Sequence, residues 1–137
     1  MIDFKTELVK ERFKLVHPKL EALCKEMCTY TESHQYLFII TESVTTKAED
    51  MALKRISETH RQRRAVDIRT MDWGRPFLQI FMDRFEGKYK FIGALNTKGE
   101  RRLMVHHDIG LGEHIHLQLD RTHALPEILD FDPEDST

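Results

Sequence analysis

Apolar side chains recur at helical spacing near the start of the chain, where Leu8, Val9, Phe13 and Val16 fall on one face of a helix between Thr6 and Val16. Pro18 then marks a second helix, because a proline in the first helical turn gives up an N–H that would have had no partner there. Leu20, Leu23, Cys24 and Met27 form the inward stripe of that helix. The segment from Tyr36 to Thr41 is rich in aromatic and β-branched residues and predicts a buried strand, and Thr46 to Ile56 predicts a helix. From Arg64 to Arg69 the chain alternates Arg64, Val66 and Ile68 against Ala65, Asp67 and Arg69, which is the period of a strand. A third long helix follows Gly74 and Pro76, with Phe77, Ile80, Phe81 and Phe85 facing inward, Asp72 as its cap and its end near Gly87. Short strand-like pieces stand at Phe91 and from Leu103 to Val105. In the last alternation, His114, His116 and Gln118 oppose Ile115, Leu117 and Leu119.

These elements predict an α+β fold in which a small antiparallel sheet, packed against three helices, carries a metal site on its polar face. One domain is expected over residues 1–126, since 137 residues suit a single core and not separate cofactor and substrate lobes. Residues 127–137 carry Glu127, Asp130, Asp132, Glu134 and Asp135 with no base, which predicts a solvated acidic tail. With 21 basic and 23 acidic residues the formal charge is -2, a balance that disfavours nucleic acid as partner. The apolar run Leu37–Phe38–Ile39–Ile40 is far shorter than the ~20 residues of a membrane helix, so no integral membrane contact is expected. The opening Met1-Ile2-Asp3-Phe4-Lys5 lacks the order of a secretory signal, which predicts a cytoplasmic chain. Cys24 and Cys28, four apart on a helix, read as buried free thiols.

Five of the eight histidines, His106, His107, His114, His116 and His123, crowd into the last third of the chain. His114 and His116 share one face of a strand, because side-chain direction repeats every second residue. A catalytic zinc takes three protein ligands and keeps a fourth position open; two neutral imidazoles and one carboxylate leave net positive charge that brings the pKa of bound water to about 7. His60 just before one strand, Asp67 within it and His116 on another supply that set if the two strands share a sheet. His106-His107-Asp108 is a weaker set, because adjacent histidines on a strand point apart. His17 and His34 read as surface residues, and Trp73 as core or cleft rim. Arg55, Arg61, Arg63, Arg64 and Arg69 form the basic concentration, read either as a solvated face or as a cleft for an anionic glycan or peptide carboxylate.

The segment Glu58-Thr59-His60-Arg61-Gln62-Arg63-Arg64-Ala65-Val66-Asp67 resembles the S-x-H-x-x-G-x-A-x-D signature of the zinc D-Ala-D-Ala peptidases, and Glu113-His114-Ile115-His116 resembles their E-x-x-H signature. His114-Ile115-His116 also resembles the H-x-H element of the wider group that includes lysostaphin-like endopeptidases and the hedgehog domain. The resemblance spans about Pro18 to Leu119. It departs at Glu58, where the family has serine, and at Arg63, where it has a glycine of the kind that marks a special backbone angle. The family's arginine, in a serine-glycine-tyrosine-arginine segment, aligns with Glu42-Ser43-Val44-Thr45, where no arginine stands. Arg55, Arg63 or Arg64 would take over its grip on a substrate carboxylate.

The resemblance implies a zinc peptidase that acts on the stem or cross-bridge peptides of peptidoglycan, with His60, Asp67 and His116 as ligands. It implies Glu113 as the general base and His114 as a residue that holds or polarises the tetrahedral intermediate. If the last strand extends back through Gly112, Glu113 faces away from His116 and His114 becomes the base. A bacteriophage or prophage lysis enzyme, leaving the cytoplasm through membrane lesions, fits this reading. Two alternatives stand beside it: a catalytically degenerate relative that keeps zinc as a phage structural or binding module, and a different metal hydrolase such as a phosphoesterase.

Overall fold

Helix boundaries follow from local capping chemistry in the computed structural model, which describes residues 1–107 and 112–129. The Thr6 hydroxyl accepts from the Val9 N–H at 3.1 Å and opens α1 (Glu7–Phe13). Pro18 begins α2 (Pro18–Ser33), and the His17 ring accepts the Lys19 N–H at 3.0 Å, so His17 is a cap and not merely a surface residue. Thr46 and Glu49 form a reciprocal capping box at the start of α3 (Lys47–Ala52). That helix is six residues long and stops short of Ile56, because Lys54 turns into the left-handed region at φ 55°. Gly74, not Asp72, stands at the cap of α4 (Arg75–Tyr89), with Pro76 in its first turn; Asp72 pairs instead with Arg69 at 3.0 Å. Phe91 lies in a 3-10 turn, Lys90–Ile92, and not in a strand.

The strands are β1 (Asp3–Phe4), β2 (Ile39–Glu42), β3 (Ala65–Arg69), the paired β4 (Ala94–Leu95) and β5 (Arg101–Arg102), then β6 (Met104–His107) and β7 (His114–Gln118). The main sheet runs β1-β2-β3-β7-β6, antiparallel throughout except for the parallel β1–β2 pair. The chain is thus α+β, with four α-helices among the described residues. β2 begins at Ile39, three residues later than the strand predicted from Tyr36, and continues through Glu42.

Pairing register sorts the sheet into two faces. Ile68 stands opposite Ile115, which stands opposite His106, while Asp67 stands opposite His116, which stands opposite Val105. Ile40, Val66, Ile68, Met104, Ile115 and Leu117 join one continuous core with Leu20, Met27, Phe38, Phe81 and Phe85. Trp73 belongs to that core: its indole N–H donates to the Leu37 carbonyl at 2.9 Å, and its ring meets Phe77 and Phe81. Cys24 and Cys28 are buried free thiols, and burial pushes both above the ordinary thiol range, which keeps them unreactive.

The first residues of the expected tail pack onto the body. Ile128 rests against the core, and Glu127 approaches Arg61 at 3.7 Å. Asp130, Asp132, Glu134 and Asp135 lie outside the described residues. Among the described residues no helix is long and apolar enough to cross a membrane.

Phe81 is fully buried, and its ring contacts Trp73, Phe77 and Phe85. Phe81→Ala is expected to cost about 3–5 kcal/mol in urea-induced unfolding, because the cavity left behind cannot collapse fully; a loss under about 1 kcal/mol would contradict this packing.

Candidate metal centre

Asp67 and His116 are cross-strand neighbours in β3 and β7, and adjacent strands place such side chains within contact of each other. The His116 Nδ1 lies 2.9 Å from Asp67 Oδ1. His60 comes from the turn before β3, and its Nε2 lies 3.3 Å from the same oxygen. That turn requires Arg63 to adopt φ 64°, the left-handed conformation, at the position where the resembled signature has glycine. Arg63 is held there by its own donors, which bind the Leu15 and Pro126 carbonyls, and by its carbonyl, which accepts from the His17 N–H.

The tautomer of His60 follows from its outer contact. Its Nδ1 sits 2.7 Å from the Ser43 carbonyl, which only accepts, so the proton is on Nδ1 and Nε2 faces Asp67. The His116 Nε2 meets the Thr59 hydroxyl at 3.2 Å. One ligand atom from each of His60, Asp67 and His116 lies within 4.8 Å of the other two, and this group could hold a metal ion. Ligands about 2.1 Å from a tetrahedral zinc stand about 3.4 Å apart, so the two short separations suit such an ion with little rearrangement.

Burial pushes the Asp67 carboxyl up, but hydrogen bonds from His116 and His60 and their charges hold it well below the usual carboxylate range. Burial pulls His60 down, yet Asp67, Glu42 and the Ser43 carbonyl hold it above its ordinary value. A buried carboxylate between two imidazoles thus attracts positive charge, whether a proton or a cation.

A cavity of 720 Å³ opens over the group, and its walls include Arg55, His107, His114 and Glu42. The His114 Nδ1 lies 3.1 Å from the Gly112 carbonyl, its Nε2 has no hydrogen-bond partner among the described residues, and its ring stands 5.3 Å from that of His107. His107 is 6.3 Å from the His116 ring, and burial together with the charges of His114 and His116 pushes its pKa down. Arg55 grips Glu42 with two bonds of 2.6 Å. Arg64 is not brought to the cavity: its guanidinium donates to Gln62 and to the Leu119 carbonyl, both at 2.7 Å.

Glu113 borders the cavity but does not join the metal group. Its carboxylate takes two 2.8 Å bonds from Arg75, with His106 at 3.0 Å and Thr70 at 3.2 Å. The reason is parity: β7 begins at His114, yet Glu113 continues its alternation and lies on the side of Ile115 and His106. His106 and His107 do point apart, while Asp108 and Gly110 lie outside the described residues.

Two cavity residues owe their place to sheet pairing: His107, which the sequence offers only within the weaker His106-His107-Asp108 set, and Glu42, which it does not single out. His107 faces His114 because of the β6–β7 register, which no local pattern encodes. Glu42 reaches the site face through a bulge: Ile40 stands opposite Ile68 but Glu42 opposite Asp67, so two residues of β2 span one of β3. Comparison of the chain with protein-family models, curated proteins and solved structures found no match.

Burial pushes the Glu113 carboxyl up, but Arg75, His106 and Thr70 together hold it below its ordinary value. Its stabilisation is complete above the unfolded pKa of about 4.3 and disappears as pH falls through the lower folded value. Glu113→Gln is therefore expected to lower the melting temperature at pH 7 and to make progressively less difference below about pH 4. Equal losses at pH 7 and pH 3 in a thermal scan would rule out this linkage.

Proposed function

We propose that this chain is a zinc-dependent peptidase that hydrolyses peptide bonds of bacterial peptidoglycan, in the manner of the D-Ala-D-Ala peptidases whose signatures it resembles. The observation that carries the reading is the convergence of His60, Asp67 and His116 at the wall of one open cavity, from sequence positions whose order and spacing match those signatures. Arg63 adds support, because its backbone adopts the conformation that a glycine favours at that position. Two imidazoles and one carboxylate fit zinc, which supplies a Lewis acid for the scissile carbonyl and lowers the pKa of water.

The proton work falls to His114. With Nδ1–H donating to the Gly112 carbonyl, its Nε2 accepts a proton as water attacks the scissile carbonyl and then returns that proton to the departing amine. Glu113 instead anchors the entrance of β7 to Arg75 at the start of α4. Arg55 is the cavity guanidinium suited to a peptide carboxylate, a role that Arg64 does not share. A phage or prophage lysis enzyme remains the biological setting that fits this chemistry.

A second reading is favoured by one observation, the full engagement of Glu113 with Arg75, Thr70 and His106. A relative that keeps the metal for folding or binding has no need of a free glutamate.

Purified protein is expected to hold about one zinc per chain by elemental analysis, and His60→Ala or Asp67→Ala to lose it. Incubation with cell-wall sacculi should release new amino termini. His114→Ala should retain the zinc and slow that release by roughly 100-fold or more. Zinc without release supports the binding module; turnover of a phosphodiester in place of sacculi supports a phosphoesterase; absence of zinc ends all three readings.

A further inference from the structure

Residues 45–64 place no side chain in the hydrophobic core, although they carry His60. Met51, Leu53 and Ile56 stand exposed to solvent, and between the end of α3 and the start of β3 the chain forms no helix or strand. Apolar packing therefore does not set where His60 lies; polar contacts have to.

Asp50, on α3, is a fully buried member of those contacts. No step of the proposed chemistry uses it, it does not line the metal cavity, and α3 is capped by Thr46 and Glu49 without it. Its Oδ1 accepts from the Thr45 hydroxyl at 2.8 Å, while Oδ2, shut off from solvent, accepts no hydrogen bond among the described residues. The Arg61 guanidinium stands 3.6 Å from Oδ2 and that of Arg55 stands 3.7 Å from Oδ1, so the hold on both is electrostatic. A buried carboxylate with so little hydrogen bonding is costly to the fold, which calls for a role beyond its own helix.

We propose that Asp50 is a positioning residue of the candidate metal centre: it ties the segment after β2 to the turn before β3, and so fixes the His60 ring against the Ser43 carbonyl with Nε2 toward Asp67. The inference rests on the reading of His60, Asp67 and His116 as metal ligands and deepens it.

The contacts close a ring. The Ser43 carbonyl meets His60 Nδ1 at 2.7 Å, His60 adjoins Arg61 in the chain, Arg61 faces Asp50, and Asp50 holds Thr45, two residues beyond Ser43. The other ties of the turn lead elsewhere: Thr59 to His116, Arg63 to the Leu15 and Pro126 carbonyls, Arg64 to Leu119. Among the described residues, Asp50 is thus what joins the turn to the Ser43 segment apart from the His60 bond itself. Arg61 has competing partners in Glu58 at 3.0 Å and Glu127 at 3.7 Å. Both of these are exposed, where solvent screens a charge pair, whereas Asp50 attracts through a buried medium of lower dielectric. Without the Asp50 charge, two guanidiniums face a buried site with no anion; Arg61 then turns to Glu58 and Glu127, and the His60 backbone follows it away from Ser43.

The test reads His60 without metal and with it. Asp50→Asn keeps the size of the side chain and an acceptor for Thr45 but removes the charge. In chelator, at a pH where the ring is neutral, a nitrogen NMR spectrum of the imidazoles, with the His60 signals assigned by His60→Gln, should show the Nδ1–H tautomer alone in the parent protein and a mixture of both tautomers in Asp50→Asn. Arg61→Gln, which cuts the tie to the turn and leaves Asp50 with Thr45 and Arg55, should do the same, and it decides alone if Asp50→Asn fails to fold. Zinc affinity, measured by competition with a chromophoric chelator, should fall about ten- to a hundredfold in Asp50→Asn. Phe81→Leu, which weakens the core and touches none of these groups, should leave that affinity unchanged. A single Nδ1–H tautomer in both variants overturns the inference, as does a zinc affinity that Asp50→Asn leaves intact or that Phe81→Leu lowers equally. A parent protein that binds no zinc would count against the metal reading alone, since the spectra in chelator still decide how His60 is held.

Discussion

A carboxylate buried between two imidazoles is the constraint around which the sheet is arranged. Asp67 sits on the middle strand, and without a positive partner its charge would cost far more than the surrounding apolar contacts could offset. His116 reaches it through the β3–β7 register, and His60 through a turn that forces Arg63 into the left-handed region. Each imidazole has its own outer support, the Ser43 carbonyl for His60 and the Thr59 hydroxyl for His116. These contacts fix the orientation of both rings toward Asp67.

The sheet divides its labour by face. On one side Ile40, Val66, Ile68, Ile115 and Leu117 bury against the helices and provide rigidity; on the other Asp67, His107, His114 and His116 meet the cavity. One margin of the core side carries a polar cluster. There Glu113, Arg75, His106 and Thr70 tie the start of β7 to the start of α4. Glu113, only three residues from His116, is thereby engaged with Arg75, Thr70 and His106, while the side chains that face the His60–Asp67–His116 group have the opposite parity.

Local periodicity made much of this legible. Helical spacing located α2 and α4, and the alternation of Val66 and Ile68 against Asp67 located β3. The His60–Asp67–His116 group, which could hold a metal ion, is legible because three side chains of suitable chemistry stand at recognisable spacings. The helical spacing runs on past the end of α3, since a left-handed Lys54 has no periodic signature, and Phe91 looks strand-like in sequence but stands in a 3-10 turn. Arg64 was legible as a basic residue beside the site, but its contacts with Gln62 and Leu119 depend on where the chain ends of β3 and β7 meet.

Sequence by itself determined which residues can bind a cation and which faces of each element are apolar, because both are properties of side-chain chemistry and of short-range repeat. Tertiary structure alone decided that Glu113 belongs to Arg75, that His107 faces His114 and that Glu42 lies opposite Asp67. Those outcomes depend on strand register and on one bulge, which are set by contacts between residues far apart along the chain, and a shift of a single residue carries a side chain to the other face of a sheet.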